Sequence, residues 1–254
     1  VQFCPGCLRD TEFENGVCAK CGFDMNGYTV MPHHLVPGTL VKQRYKIGRV
    51  LGEGGFGITY IGIDTVLNLK VAIKEFYMSG YVNRNHDASP NVFATLGTHR
   101  DTFEKNREKF LNEARVLAQF YGEAGIVGVR DFCEENGTAY FVMELIEGCN
   151  LRTFKKEHNE EQTFKMALQM LLLIGSALAE VHRFGMIHGD ISPENILITQ
   201  NGEIKLIDFG AARSFRQSSA KQGRKIYLKP NYAPYEQYTL KPCQGPWTDI
   251  YALA

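Results

Sequence analysis

The chain has 254 residues, 28 of them basic and 28 acidic, and 44% are hydrophobic. That length exceeds one average domain and is enough to bury a sizeable core. The balanced charge leaves no global field for attracting nucleic acid or a membrane surface. The longest apolar run, residues 170–179 with Gly175 and Ser176 inside it, is too short to span a bilayer. The start reads as lacking a secretory leader. Seven cysteines, four of them near the N-terminus, favour metal ligation in a reducing compartment, the cytoplasm.

Residues 1–28 hold two Cys-x-x-Cys pairs, Cys4 with Cys7 and Cys18 with Cys21, ten residues apart. Each pair predicts a tight knuckle, and the two together present four thiolates to one Zn²⁺. With little apolar surface in so short a segment, the metal has to supply most of the folding energy, and four protein ligands leave no position open for catalysis. The alternative is a pair of redox or disulfide couples. Residues 29–44 read as a linker carrying Pro32, His33, His34, Pro37 and Gly38. Its adjacent histidines suggest a second metal site but are expected to be solvated.

From residue 45 the pattern changes. Residues 45–51 and 58–63 are rich in β-branched and aromatic side chains and flank Gly52-Glu53-Gly54-Gly55-Phe56-Gly57, which predicts a hairpin. A dinucleotide-binding turn has the same G-x-G-x-x-G spacing but must open a helix, whereas Ile58-Thr59-Tyr60-Ile61 is strand-like. A glycine hairpin between strands can instead bring its backbone N–H groups onto phosphates. Residues 71–76 form a third strand bearing Lys74, a cation able to reach phosphates if a carboxylate fixes it. Residues 103–120 show helical periodicity and offer Glu113 for that purpose. Glu104 and Glu108 sit nearer the expected start of that helix and suit the positive end of its dipole. Two more strands are predicted at 127–133 and 138–145, and a buried helix at 163–182. Residues 188–195, His-Gly-Asp-Ile-Ser-Pro-Glu-Asn, precede Asp208-Phe209-Gly210 and supply oxygen ligands suited to a phosphate–metal centre.

These motifs, in this order over residues 45–254, resemble the eukaryotic-type protein kinases, and the wording is closest to bacterial Ser/Thr members, some of which carry a zinc ribbon. The resemblance implies an α+β, bilobal protein-kinase-like fold preceded by a small zinc ribbon. The antiparallel β small lobe would span about 45–147 and a partial, mainly helical large lobe about 148–254. It implies ATP and Mg²⁺ as cofactors and a protein as substrate, with the ribbon as a structural or partner-docking module. In that scheme Lys74 holds the α- and β-phosphates and is positioned by Glu113. Asp190 orients the substrate hydroxyl and accepts its proton, and Asn195 and Asp208 hold magnesium. Leu51, Gly52, Gly54, Gly57, Thr59 and Ala72 line the nucleotide with Leu197. Met143 is the gatekeeper, Glu144 and Ile146 meet the adenine edge, and Asn150 meets the ribose. Glu236 is the ion-pair anchor of the Ala-Pro-Tyr-Glu stretch.

Three departures stand out. Gly189 replaces the Arg that normally receives a phosphorylated activation loop. Ser192 replaces the Lys that neutralises the γ-phosphate. The chain ends where the family's central helix is only beginning. Ordinary family members carry a Thr three residues before the conserved Tyr of the substrate loop, partnering that Lys. Here the position before Tyr232 is Lys229, so Ser192 and Lys229 read as the usual pair with its members exchanged. His188 is expected to brace the loop, and Cys133, Cys149 and Cys243 to be packing or surface thiols. Ser218, Ser219 and Tyr227 are either phosphorylation sites or part of a polar loop. Two rival readings stay open, a pseudokinase or nucleotide-binding scaffold and a small-molecule phosphotransferase.

Overall fold

Three strands within residues 45–76, rich in β-branched and aromatic side chains, form one antiparallel sheet, and their register decides which side chains share a face. The structure is a computed structural model and describes residues 1–84, 89–215, 229–239 and 244–254. It divides into two units, Val1–Ala114 with Val129–Leu145, and Arg115–Gly128 with Ile146–Ala254.

In the first unit the strands are β1 (Leu40–Val41), β2 (Tyr45–Gly54), β3 (Gly57–Asp64), β4 (Leu69–Phe76), β5 (Val129–Glu135) and β6 (Thr138–Glu144). Their order across the sheet is β5-β6-β4-β3-β2-β1. Register places Gly52, Thr59, Lys74 and Phe141 in one cross-strand row, and Glu53, Ile58, Glu75 and Tyr140 in the adjacent row. Successive residues point to opposite faces, so these two rows lie on opposite sides of the sheet. Helix α1 (Gly97–Ala118) packs its aromatic stripe on the Lys74 side, with Phe110 4.8 Å from Phe141 and Phe103 5.1 Å from Phe76, ring centre to ring centre. Because α1 begins at Gly97 and not at 103, Glu104 lies beyond the first turn. It pairs with Arg107 at 2.5 Å, so the expected dipole role does not apply to it.

The cysteine segment forms two short hairpins, Gln2–Phe3 with Asp10–Thr11 and Phe13–Glu14 with Val17–Cys18. It packs directly on β2: a Cβ on Gly48 would come within 2.4 Å of Leu8 and 2.6 Å of the Pro5 carbonyl. The segment 29–44, read from sequence as a linker, contributes β1 and buries Leu35 and Val41. Its histidines are not solvated as expected. His34 is buried, and both rings reach Glu53.

The second unit contains β7 (Gly148–Asn150), α2 (Leu151–Glu157), α3 (Glu160–Arg183), β8 (Ile196–Thr199), β9 (Ile204–Leu206) and α4 (Pro246–Leu253). β7, β8 and β9 form a small antiparallel sheet, and the segment just after α1 belongs here because Ile126 bridges to Leu206. Asn159 caps α3 through a full capping box with Gln162. At 24 residues α3 is longer than the apolar run within it. By length and composition alone it is long and apolar enough to cross a membrane. Its Met170, Ile174, Ala177, Leu178 and Val181 are buried in this unit while Phe164, Leu168, Leu171 and Leu172 are exposed, so the helix expected to be buried is buried along one face only.

Candidate active site

Two constellations bear the chemistry, one in each unit. In the first, β2 and β3 meet at the glycine turn. A Cβ on Gly52, Gly54 or Gly55 would meet nothing within 4 Å, so packing inside the protein does not require glycine there. What the missing side chains preserve is open space beside the backbone, the condition for N–H groups to approach an anion. Gly57 is different: a Cβ there would come within 2.7 Å of the Glu75 carbonyl, so the close approach of β3 to β4 demands it. Lys74 shares a row with Gly52 and Thr59 and donates to Glu113 Oε1 at 3.1 Å. The Glu113 side chain is only 6% exposed, and Lys74 lies 5.3 Å over the Phe141 ring. Ala72 pairs with Met143, and Val71 with Glu144, which puts the expected gatekeeper and hinge at the end of β6. Leu51 is exposed on β2.

The second constellation is the loop after α3. Asn195 Nδ2 donates to both the carbonyl and Oδ2 of Asp190, each at 2.9 Å, which leaves its own Oδ1 as the atom suited to a cation. Asp208 holds φ +64, a left-handed conformation that costs a non-glycine residue about 1 kcal/mol, and Gly210 N donates to its Oδ1 at 3.3 Å. Lys229 Nζ donates to Ser192 Oγ at 2.5 Å and lies 3.6 Å from Asp190 Oδ2 and 3.8 Å from Glu194 Oε2. The exchanged pair inferred from spacing is therefore in contact. Burial raises the Asp190 carboxyl above its ordinary value, against the pull of Lys229 and His188. Of the remaining expected residues, Leu197 pairs with Asn150 in the β7–β8 register, Ile146 begins this unit, and Asn150 caps α2 by accepting from Thr153 N at 2.9 Å.

Several anchors went unrecognised in the sequence. Asp249 is buried and accepts from His188 N and Gly189 N, both at 2.8 Å, and His182 Nε2 approaches it at the same distance. Gln237 Nε2 donates to Gly189 O at 2.8 Å. Gly189 itself sits at φ +78, where a side chain is strained, so the loop's departure from the usual Arg has a backbone reason. His188 braces the loop as expected. Asp190 N donates to its Nδ1 at 3.2 Å, leaving Nε2 to donate to Ile207 O, and burial lowers its pKa. Glu236 accepts from Thr248 Oγ1 at 2.9 Å. Cys243, Ser218, Ser219 and Tyr227 lie outside the described residues.

In the N-terminal segment Cys4 Sγ is 3.6 Å from Cys21 Sγ, and Cys7 Sγ is 3.9 Å from Cys18 Sγ. A tetrahedron with metal–sulfur bonds of about 2.3 Å has edges of about 3.8 Å, so the four thiols fit one such metal and are far from disulfide distance. All four are free thiols whose sulfurs lie within 4.8 Å of one another.

The protein kinase domain family matches residues 45–254. A probable serine/threonine-protein kinase of Bifidobacterium longum, pknA2, is 32% identical over 224 residues, covering 85% of this chain and 26% of that protein. The serine/threonine-protein kinase PknA of Mycobacterium tuberculosis is 31% identical over 221 residues, covering 85% of this chain and 46% of that protein. The chain thus spans between about a quarter and about half the length of these curated relatives. Among solved structures, one titled PpkA-294 apo form superposes with a TM-score of 0.74 at 35% identity, covering 87% of this chain and 76% of that one.

Proposed function

The chain belongs to the protein kinase domain family, and on that premise we propose that it transfers the γ-phosphate of ATP to serine or threonine hydroxyls of proteins. One observation carries the reading. A lysine ammonium stands at Ser192, beside the proton-accepting Asp190, although the usual lysine of this motif is absent.

Each residue has a role in that reaction. The open backbone at Gly52, Gly54 and Gly55 admits the phosphates, and Lys74, held by Glu113, grips the α- and β-phosphates. By the family's pattern Leu51, Thr59, Ala72, Met143 and Glu144 of the first unit would contact the nucleoside, and in the second unit Ile146, Leu197 and Asn150 are assigned to it. Asn150, whose oxygen accepts from Thr153 N at the α2 cap, would offer its amide nitrogen to the ribose. Asn195 and Asp208 would hold Mg²⁺, which when bound neutralises developing phosphate charge. Asp190 orients the acceptor hydroxyl and takes its proton. Lys229 supplies the positive charge that Ser192 cannot, from a hydrogen bond that fixes its position.

Cys4, Cys7, Cys18 and Cys21 would hold Zn²⁺ as a structural ribbon, with a protein partner as a further role for its outer surface. The six cysteines among the described residues are free thiols, consistent with a reducing compartment, and we place the protein in the cytoplasm. Lys229, held against Ser192, counters the part of the pseudokinase reading that rests on Ser192.

The deciding experiment is a phosphotransfer assay on a generic protein substrate with wild type, Lys229→Ala and the double exchange S192K/K229T. The expected result is loss of turnover in Lys229→Ala with MgATP affinity kept, and recovery in the double exchange, which restores the ordinary arrangement. Unchanged turnover in Lys229→Ala ends the assignment of Lys229, and an inactive wild type that still binds MgATP returns the pseudokinase.

A further inference from the structure

The strongest unassigned feature lies in the first unit, on the face of the sheet opposite Lys74. There the row Glu53, Ile58, Glu75 and Tyr140 crosses β2, β3, β4 and β6. Residues 31–36 run along it. His33 Nε2 is 2.8 Å from Glu53 Oε1 and His34 Nε2 is 3.1 Å from Glu53 Oε2, so each carboxylate oxygen has its own imidazole. Leu35 N donates to Tyr60 Oη at 3.0 Å, and Tyr60 passes its proton side to Glu75 Oε2 at 2.9 Å. Arg84 donates to the His33 carbonyl at 2.5 Å and also to Glu75 Oε1, which accepts from Tyr140 Oη at 2.8 Å. The strap of residues 31–36 is thus fastened to a fully buried charge network, and its two imidazoles reach from that fixed base to the tip of the glycine hairpin.

These three side chains look at first like a metal site, since their ligand atoms lie within 4.8 Å of one another. The tautomer argues otherwise. Met31 N donates to His34 Nδ1 at 3.2 Å, so Nδ1 carries the lone pair and Nε2 the proton. A metal on Nε2 would force a proton onto Nδ1, facing the Met31 N–H. Burial pushes the Glu53 carboxyl up, but the bonds from His34 and His33 outweigh it and keep it below the ordinary value, as suits an acceptor of two N–H donors. The groups facing the cluster are Glu53, the Tyr77 ring 5.6 Å from His33, the Tyr60 ring 6.5 Å from His34, and Arg84 on the strap backbone.

The same hairpin is held a second time, nearer its base. The β2–β3 register shifts at Val50, and the two N–H groups there are taken by the ribbon: Arg49 N donates to Pro5 O at 3.0 Å and Val50 N to Tyr28 Oη at 3.1 Å. Pro5 lies between Cys4 and Cys7, inside the first knuckle.

We propose that His33 and His34 are positioning residues for the glycine-rich hairpin: by grasping Glu53 from behind, they make the N-terminal segment an in-chain regulator of nucleotide affinity. The latch stands on its own geometry. What the hairpin binds rests on the kinase reading.

The test is a mutant cycle of His34→Ala, Glu53→Ala and their combination in the full chain, with His33→Ala as a milder variant because that side chain is partly exposed. Amide hydrogen exchange over residues 52–57 is measured without nucleotide, and MgATP affinity and kcat separately. Each single change should speed exchange at 52–57 and weaken MgATP binding by about fivefold, the worth of roughly one net hydrogen bond. The double variant should be no worse than the worse single one, with kcat at saturating MgATP unchanged. Additive losses, exchange that rises equally across the whole sheet, or no change at 52–57 would each overturn the latch. A wild type that binds no MgATP refutes the kinase reading and the regulatory role with it, while the exchange data still decide whether the latch exists.

Discussion

Lys74 and Lys229, the two cations proposed to handle phosphate charge, are held in opposite ways. Lys74 stands on a central strand and donates to a carboxylate on α1 that is almost fully buried, so its partner is itself an ion and its geometry is set by two regular elements. Lys229 projects from a loop and is held by a neutral hydroxyl, with Asp190 and Glu194 further away at 3.6 and 3.8 Å. The difference teaches that a buried ion pair ties a catalytic cation to the stability of the fold. A hydroxyl tether fixes position at little structural cost and leaves more of the lysine's charge to be used.

The sharpest way to break that comparison is Asp190→Asn, which removes the proposed base that Asn195 and Lys229 both approach. Turnover should fall by about a thousandfold while the melting temperature barely moves, and a fold-wide loss of stability would show that the loop is structural instead. Next in size, Lys74→Ala should destabilise by about 3 kcal/mol because it strands a buried carboxylate, whereas Lys229→Ala should cost about a hundredfold in kcat with little change in denaturant midpoint. Equal destabilisation by the two would erase the distinction.

The pH profile offers a finer discrimination. Burial raises Asp190, so the base form is lost as pH falls through a value above the ordinary one, and Lys229 works against that rise. In Lys229→Met the acid limb of kcat should therefore move to higher pH. A limb that stays put or moves down would mean that the two charges do not interact. The smallest effect belongs to the ribbon. Chelating the metal proposed for Cys4, Cys7, Cys18 and Cys21 should release amide protection in residues 1–28 and at the hairpin base while β4 and β6 stay protected, and global unfolding would contradict a locally folded segment.

Much of this was legible in sequence because it is local or periodic. The glycine hairpin, the strand bearing Lys74 and the loop from His188 to Asn195 each announce themselves through spacing that backbone geometry requires. Even the Ser192–Lys229 contact followed from counting back from Tyr232, since one exchanged pair keeps the same two atoms in reach. The reading of His33 and His34 failed because local composition, a proline-bearing stretch, says nothing of what lies across the sheet. Glu53 gave no signal at all, being one residue within a glycine turn. Asp249 went unnoticed as an anchor because its donors are backbone N–H groups some sixty residues earlier, which have no side-chain signature.

By itself, then, the sequence determined the family, the order of strands and helices and the identities of the chemically able side chains, because periodicity and motif spacing are properties of neighbouring residues. Only the tertiary structure decided that Glu53 faces His33 and His34, that the supposed linker is a strap, and that the N-terminal segment holds the donors freed at the β2 irregularity. Those are matters of register and face. A shift of one residue turns a side chain from one side of a sheet to the other, and no local pattern in residues 29–53 records which partner waits there.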